Sequence, residues 1–283
     1  MSYGIQSNNE QLLVSSGNTE DNNQFETLLF SDFISASAAN AATSGQIFIT
    51  AQVNGGSSIN NSTSVLTSYG VTMGHGLLQL AVGTTPNSTG YASLHSGSTT
   101  LLLPGIPTPS SKNKTKIEFE TALKLESVIH DNTNRGFYRL GFANTISSTQ
   151  PSDGVYFEYL YDGSTFTDTT WNIVFRKDNS QERVNTGVTV SANKIYRMYL
   201  CIEKDSSGNF TTTYKIKNRT DNTNTESTAA PSNTSFYPSA AGDFMGLTII
   251  NSKTNNTTTT NRLITLDYVG CRLRLPNIRH HLI

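Results

Sequence analysis

The chain has 283 residues, with 20 Lys and Arg against 21 Asp and Glu, a formal net charge of −1 and a pI near 6.5. That balance gives no long-range field for gathering nucleic acid or anionic lipid, and no run of about 18 apolar residues is present to span a bilayer, so neither nucleic-acid binding nor membrane insertion is expected. Charged residues make up only 14% of the chain, against roughly 25% in an ordinary soluble domain, so solubility rests on the hydroxyls and amides of Ser, Thr and Asn.

Residues 1–24 read as a polar N-terminal arm. Ile5 and the Leu12-Leu-Val14 cluster are its apolar anchors, too few for a core, which predicts a segment that folds along a neighbour or stays disordered. Met1 to Glu10 lacks the charged start and apolar centre of a secretion signal, which leads to the expectation of synthesis in a cytosol. Residues 25–276 are expected to form one β-sandwich, since such domains often exceed 200 residues. Its first part mixes strand candidates at Phe30 to Phe33, Gln46 to Val53 and Leu77 to Val82 with long Gly- and Ser-containing loops.

The regular part begins near Lys116. Ile117-Glu-Phe-Glu-Thr-Ala-Leu-Lys-Leu-Glu126 alternates apolar and polar positions, the period of a strand with one face buried. Strands are predicted at Ile117 to Ile129, Gly136 to Ala143, Gly154 to Asp162, Trp171 to Lys177, Ile195 to Lys204, Phe210 to Lys217, Phe244 to Ile250 and Leu263 to Leu275. Asp131-Asn-Thr-Asn134, Asp162-Gly163 and Ser206-Ser-Gly-Asn209 supply turn chemistry between them. Returns this short need no helical crossovers and favour an antiparallel jelly roll. The segments 218–233 and 253–261, rich in amides and poor in charge, are expected to be loop tips and the first place to seek a binding contact. Residues 277–283 are a basic tail in which Arg279, His280 and His281 are expected to dock on a neighbouring subunit.

The search for chemistry is largely negative: no catalytic, cofactor-binding or metal-ligating residue is assigned. Glu118, Glu120 and Glu126 share a strand face, and a glycan hydrolase needs two carboxylates about 5 to 9.5 Å apart. Lys124 lies among them, however, and a solvated charged face is the better account. Glu158 and Asp162 lack the close acidic spacing of sandwich-type hydrolases. His75, His95 and His130 are isolated in sequence, without a second His or Cys at ligand spacing. Asp131-Asn-Thr-Asn134 is the nearest approach to a calcium loop, weighed against a plain Asx turn. Cys201 and Cys271 read as small apolar side chains, with a bridge between adjacent strands as the alternative. Tyr156, Tyr159, Tyr161, Trp171 and Phe175 are expected in the core or in cross-strand pairs, with a sugar-stacking platform as the competing reading. Asn-x-Ser/Thr triplets such as Asn209-Phe-Thr211 follow from composition.

A resemblance runs through the same residues. Gly76-Leu-Leu-Gln-Leu80, the Thr-x-Ile-x-Phe strand within Thr115 to Leu125, Phe137-Tyr-Arg-Leu-Gly-Phe142, Gly154-Val-Tyr-Phe-Glu-Tyr159, Trp171, Val184-Asn-Thr-Gly-Val188, Tyr196-Arg-Met-Tyr-Leu200 and Leu266-Asp-Tyr268 follow in the order and spacing of a group of bacteriophage virion proteins. The chain resembles that group from about Phe30 to Leu275. The resemblance implies a concanavalin A-like jelly roll in a head-decoration or tail-fibre component. It also implies a non-enzymatic structural protein of the virion that acts as a capsid decoration or cement protein. The arm would grip the major capsid protein or tail proteins, and a homotrimer is the expected assembly. The alternatives are a receptor-binding appendage for a host surface glycan and, less favoured, a glycan hydrolase.

Overall fold

Between Thr115 and Leu125 the side chains of Ile117, Phe119, Leu123 and Leu125 are buried, while Lys116, Glu118, Glu120 and Lys124 remain partly exposed. The register expected from the alternation is the one observed, and a slip of one residue would expose the whole apolar set. The computed structural model describes residues 2–7, 10–17, 24–31, 49–53, 56–60, 77–85, 89–96, 101–102, 115–127, 129–238, 244–254 and 259–276.

In chain order the strands are β1 (Ser2–Ser7), β2 (Glu10–Gly17), β3 (Gln24–Ser31), β4 (Ile49–Val53), β5 (Ser57–Asn60), β6 (Leu78–Ala81), β7 (Gly90–His95), β8 (Leu101–Leu102) and β9 (Thr115–Leu125). They continue with β10 (Gly136–Ala143), β11 (Gly154–Tyr161), β12 (Thr170–Lys177), β13 (Ser180–Thr189), β14 (Ile195–Lys204), β15 (Phe210–Asn218), β16 (Thr223–Ala229), β17 (Phe244–Lys253) and β18 (Leu263–Pro276). Among the described residues the only helical turn is a 3-10 turn at Thr234–Phe236.

These strands form two antiparallel sheets. The larger runs β1-β2-β3-β18-β9-β14-β15-β16, with β6 also on β18 and β5 on β6; the smaller runs β13-β12-β11-β10-β17-β7-β4, with β8 on β17. The expected all-β sandwich of jelly-roll type is therefore the observed architecture. Its core lies between the two inner faces, where Phe119, Tyr138, Phe157, Trp171, Tyr196 and Leu266 belong to one continuous apolar cluster. Burial of such side chains, roughly 1.5–3 kcal/mol each, is the main force holding the sheets together.

Residues 1–24, expected as an arm, contribute β1 and β2 as extended chain along one end of the larger sheet: β1 pairs with β2, and β2 pairs with β3. The tail at 277–283, with Arg279, His280 and His281, lies outside the described residues, as does His75.

Two strands correct the sequence reading. Thr223–Ala229, expected within a loop tip, is strand β16 on the edge of the larger sheet. Ser180–Thr189 is strand β13 on the edge of the smaller one. Each pairs on one side, and β16 buries only Ala229. Backbone hydrogen bonds hold such strands without an apolar stripe, so the period-two signal is missing. β7 also went unanticipated, because all six of its residues are buried and it shows no alternation. At the other end of β9 the strand stops at Leu125 and not at Ile129.

Gly141, in the middle of β10, is a strict requirement. Its φ is +144°, and a Cβ there would lie 2.8 Å from the Tyr156 Cα and 2.9 Å from the Val155 carbonyl oxygen on β11. Neither backbone atom can move without breaking the β10–β11 ladder. Gly141→Ala is expected to cost about 2–4 kcal/mol, read as a lower urea midpoint with an unchanged m-value.

Candidate functional site

The outer face of the larger sheet carries a surface site built from three strands. Antiparallel register sets side chains from three strands side by side: Gly270 of β18 faces Glu120 of β9, which faces Tyr199 of β14. In the next row Arg272 faces Glu118, which faces Cys201. Tyr268 and Arg197 flank Ala122 on the other side. Gly270, with no side chain, leaves a depression of about 260 Å³ bounded by Glu118, Glu120, Tyr199, Tyr268 and Arg272.

The polar groups of this depression are tied to one another across strands. The Tyr199 hydroxyl donates to Glu118 Oε1 at 2.6 Å and the Tyr268 hydroxyl to Glu120 Oε1 at 2.7 Å. Arg197 pairs with Glu120, and Arg274 Nε lies 3.4 Å from Glu118 Oε2. Burial first, and then the hydrogen bond to a carboxylate, pushes both phenols far above the usual tyrosine range. The phenol and guanidinium groups fix both carboxylates in place, a lining that presents oriented donors and acceptors to a polyhydroxyl or peptide ligand. Glu118 and Glu120 do share a face as expected. Glu126 is separate: it is 9% exposed, accepts from Thr265 Oγ1 at 2.8 Å and lies 3.4 Å from Lys124 Nζ.

The second acidic cluster lies on the outer side of the smaller sheet and is closed to solvent. Arg139 donates to Glu158 Oε1 through Nη2 at 2.8 Å and Nε at 3.3 Å, and through Nη1 to the Thr149 carbonyl at 3.2 Å. Its guanidinium also stacks over Phe137 at 4.4 Å and Tyr156 at 5.1 Å. Arg183 lies 3.4 Å from Glu158 Oε2 and pairs with Asp168, which accepts from the Leu160 N–H at 2.7 Å. The segment 144–153 covers this face, anchored by Ser93 on the Ile146 carbonyl and Thr248 on the Thr145 carbonyl. Glu158 is therefore a structural acid beneath a lid. Asp162, its partner in the sequence reading, instead caps a turn by accepting from the N–H groups of Ser164 and Phe166.

The other predicted groups resolve locally. Asp131 Oδ1 accepts from the N–H groups of Thr133 at 2.8 Å and Asn134 at 2.7 Å, the Asx-turn alternative. Trp171, Tyr159 and Phe175 pack in the core between the sheets, Tyr156 is buried on the outer side of the smaller sheet, and Tyr161 is half-buried. Cys201 and Cys271 are free and buried. They sit opposite Glu118 and Phe119, adjacent residues of β9 that point to opposite faces, so the two thiols lie on opposite sides of the sheet. Burial raises both thiols, Cys201 to about 11 and Cys271 to about 12. Sequence reasoning missed Tyr199, Tyr268, Arg197 and Arg272 as partners of the glutamates. Only strand order brings them together.

The two sheets, their antiparallel order and the exposed outer face define a concanavalin A-like sandwich. Residues 75–267 match the family model described as SO2946-like, C-terminal domain, and the chain belongs to that family. The SO2946 protein of Shewanella oneidensis MR-1 is similar in structure with a TM-score of 0.55 at 12% identity, over 93% of this chain and 92% of that one. A winged bean acidic lectin overlaps with a TM-score of 0.49 at 9% identity, over 88% and 99% of the two chains. The endo-β-1,4-glucuronan lyase of the fungus Trichoderma reesei overlaps at 0.46 and 14% identity, over 80% and 90%. No curated protein matches the chain.

Two outcomes follow from the charges and phenols. Arg139→Met strands Glu158 as a buried, half-paired carboxylate and is expected to cost about 3–5 kcal/mol, measured by urea denaturation. Burial also pushes the phenols of Tyr138, Tyr156 and Tyr159 well above their ordinary value of 10.0, and that of Tyr237 up to about 12. The unfolded chain ionises these groups near pH 10 and the folded chain only above it, so their stabilisation is complete below pH 10 and is lost as the pH rises further. Each tyrosine ionised only in the unfolded state lowers stability by up to about 1.4 kcal/mol per pH unit. The part of the phenolate absorbance that belongs to these four groups is expected to appear together with loss of the β-sheet circular dichroism.

Proposed function

We propose that this chain is a non-enzymatic structural protein of a bacteriophage virion, a capsid decoration sandwich fastened to neighbouring virion proteins through its N-terminal strands. The observation that carries the reading is the position of β1 and β2. They extend the larger sheet beyond β3 through backbone pairing, and β1 ends the sheet order with one edge unpaired among the described residues. An extended segment of this kind joins subunits by adding strands across a boundary, where main-chain hydrogen bonds provide the affinity. The sequence resemblance to virion proteins supports the setting, and a homotrimer supplies symmetric copies of the arm.

A specific observation favours a second reading, that of an appendage recognising host surface polysaccharide. The depression beside Gly270 offers phenol, guanidinium and carboxylate groups on a rigid face, the polar set that suits a hydroxyl-rich ligand. Both carboxylates there already accept hydrogen bonds from tyrosines, which supports binding in preference to turnover.

Deleting residues 1–23 tests the first reading. The truncated protein is expected to fold and remain soluble, with a β-sheet circular dichroism reduced only by the two lost strands, yet to be missing from purified particles. Incorporation at the normal level defeats the attachment role. Glycan-array binding that is lost in Tyr268→Ala would instead favour the appendage.

A further inference from the structure

One end of the sandwich gathers basic side chains without an acid to match. The pairing of Gly136 with Lys253 brings the start of β10 beside the end of β17, and Arg262 immediately precedes β18. Arg262 and Lys253 are both fully buried. Lys253 Nζ donates to the carbonyls of Gly83 and Thr85. Arg262 Nη1 donates to the Thr260 carbonyl at 2.7 Å, but its Nε and Nη2 meet no acceptor among the described residues.

The neighbouring groups do not supply one. The Tyr138 hydroxyl, within electrostatic reach of Arg262, is also buried, with the His130 backbone beside it and no side-chain partner among the described residues, and Trp171 Nε1, whose ring lies 6.2 Å from that of Tyr138, meets no acceptor among them. His130 is buried against Tyr138, its ring centroid 4.4 Å away. Its Nε2 lies 3.2 Å from Asn251 Oδ1, an oxygen identified by the donation of Asn251 Nδ2 to the Leu80 and Arg262 carbonyls. Nε2 therefore donates there, Nδ1 lies 3.3 Å from the Asn134 carbonyl oxygen, and burial and then Arg262 lower the ring's pKa to about 3. The acid nearest in the electrostatics of Arg262 is Asp131, which is exposed and occupied by its own Asx turn.

A guanidinium shut away from water with two unused N–H groups is a costly arrangement unless an acceptor reaches it, and neutral carbonyls leave its charge uncompensated. The unused groups in this region are two guanidinium N–H groups and an indole N–H, which only donate, and a phenol, which can donate as well as accept. Donors without acceptors, beside an excess of positive charge, recognise an anion, and the enclosure by aromatic rings favours a small, weakly hydrated one. We propose that this end of the sandwich binds a single monovalent anion of the halide type, held by Arg262 Nε and Nη2 and the Tyr138 hydroxyl. The anion locks the 129–135 turn and the start of β18 onto the end of the core.

Bromide is the probe. Crystals of the full chain grown in sodium bromide are expected to give an anomalous difference peak within contact distance of Arg262 Nε and Nη2, with reduced occupancy in Tyr138→Phe. No anomalous peak at that position, or a water there in its place, overturns the proposal. In solution the unfolding midpoint of the unmodified protein is expected to rise by a few degrees with sodium chloride relative to sodium gluconate at equal ionic strength. Identical midpoints across the titration count against it as directly. Neither measurement needs the Arg262→Met variant to fold.

Discussion

One bulge in β18 sets the faces of the larger sheet. Ile264 and Leu266 turn into the core beside Leu125 and Leu123 of β9, and the pairing then skips Asp267 before resuming at Tyr268 opposite Ala122. The extra residue reverses the phase, so that Val269 and Cys271 become the buried set and Tyr268, Gly270, Arg272 and Arg274 come to the outer face. Without it, Tyr268 would enter the core and Val269 would leave it. The same strand also divides its other edge, with Leu263 to Leu266 on β6 and Val269 to Pro276 on β3. The candidate site and the attachment of the N-terminal strands thus depend on one register.

The sequence shows this phase change only in retrospect: apolar residues fall at 264 and 266, then at 269, 271 and 273. A strand was legible across the whole span because the apolar density persists, but a bulge is a property of two strands together. The same division separates what could and could not be read elsewhere. Ile117 to Leu125 was legible because one of its faces is wet and the other dry. β16 was invisible because it buries almost nothing, and β7 because it buries everything. The glutamates of the outer face were readable as neighbours on one strand, since that is a matter of period two. Their phenol partners lie about 80 to 150 residues further along the chain, at separations that local pattern cannot bridge.

A chain with few charges has put several of them inside. Arg139 and Glu158 form a nearly dry pair with Arg183 and Asp168 at its margin, whereas Arg262 and Lys253 are buried with carbonyls alone. The first cluster fixes the cover of the smaller sheet through the Thr149 carbonyl, so its charge is both compensated and used to position a loop. A well-packed apolar set could match it in stability; the charges add a preference for one arrangement of that loop over others. The second cluster has no such internal balance among the described residues, and its charge is met by carbonyl dipoles alone.

The sheet edges divide in the same way. β16 carries Glu226, ion-paired with Lys215 of the adjacent strand, and β13 carries Glu182 and Arg183. Charges on an edge discourage another chain from adding to it. β4 is protected by its length of only five residues. β1, Ser-Tyr-Gly-Ile-Gln-Ser, has six residues with neither a charge nor a proline. An edge of this composition left open in solution would invite indiscriminate pairing, so its retention at the end of the larger sheet is understandable if a specific neighbour covers it.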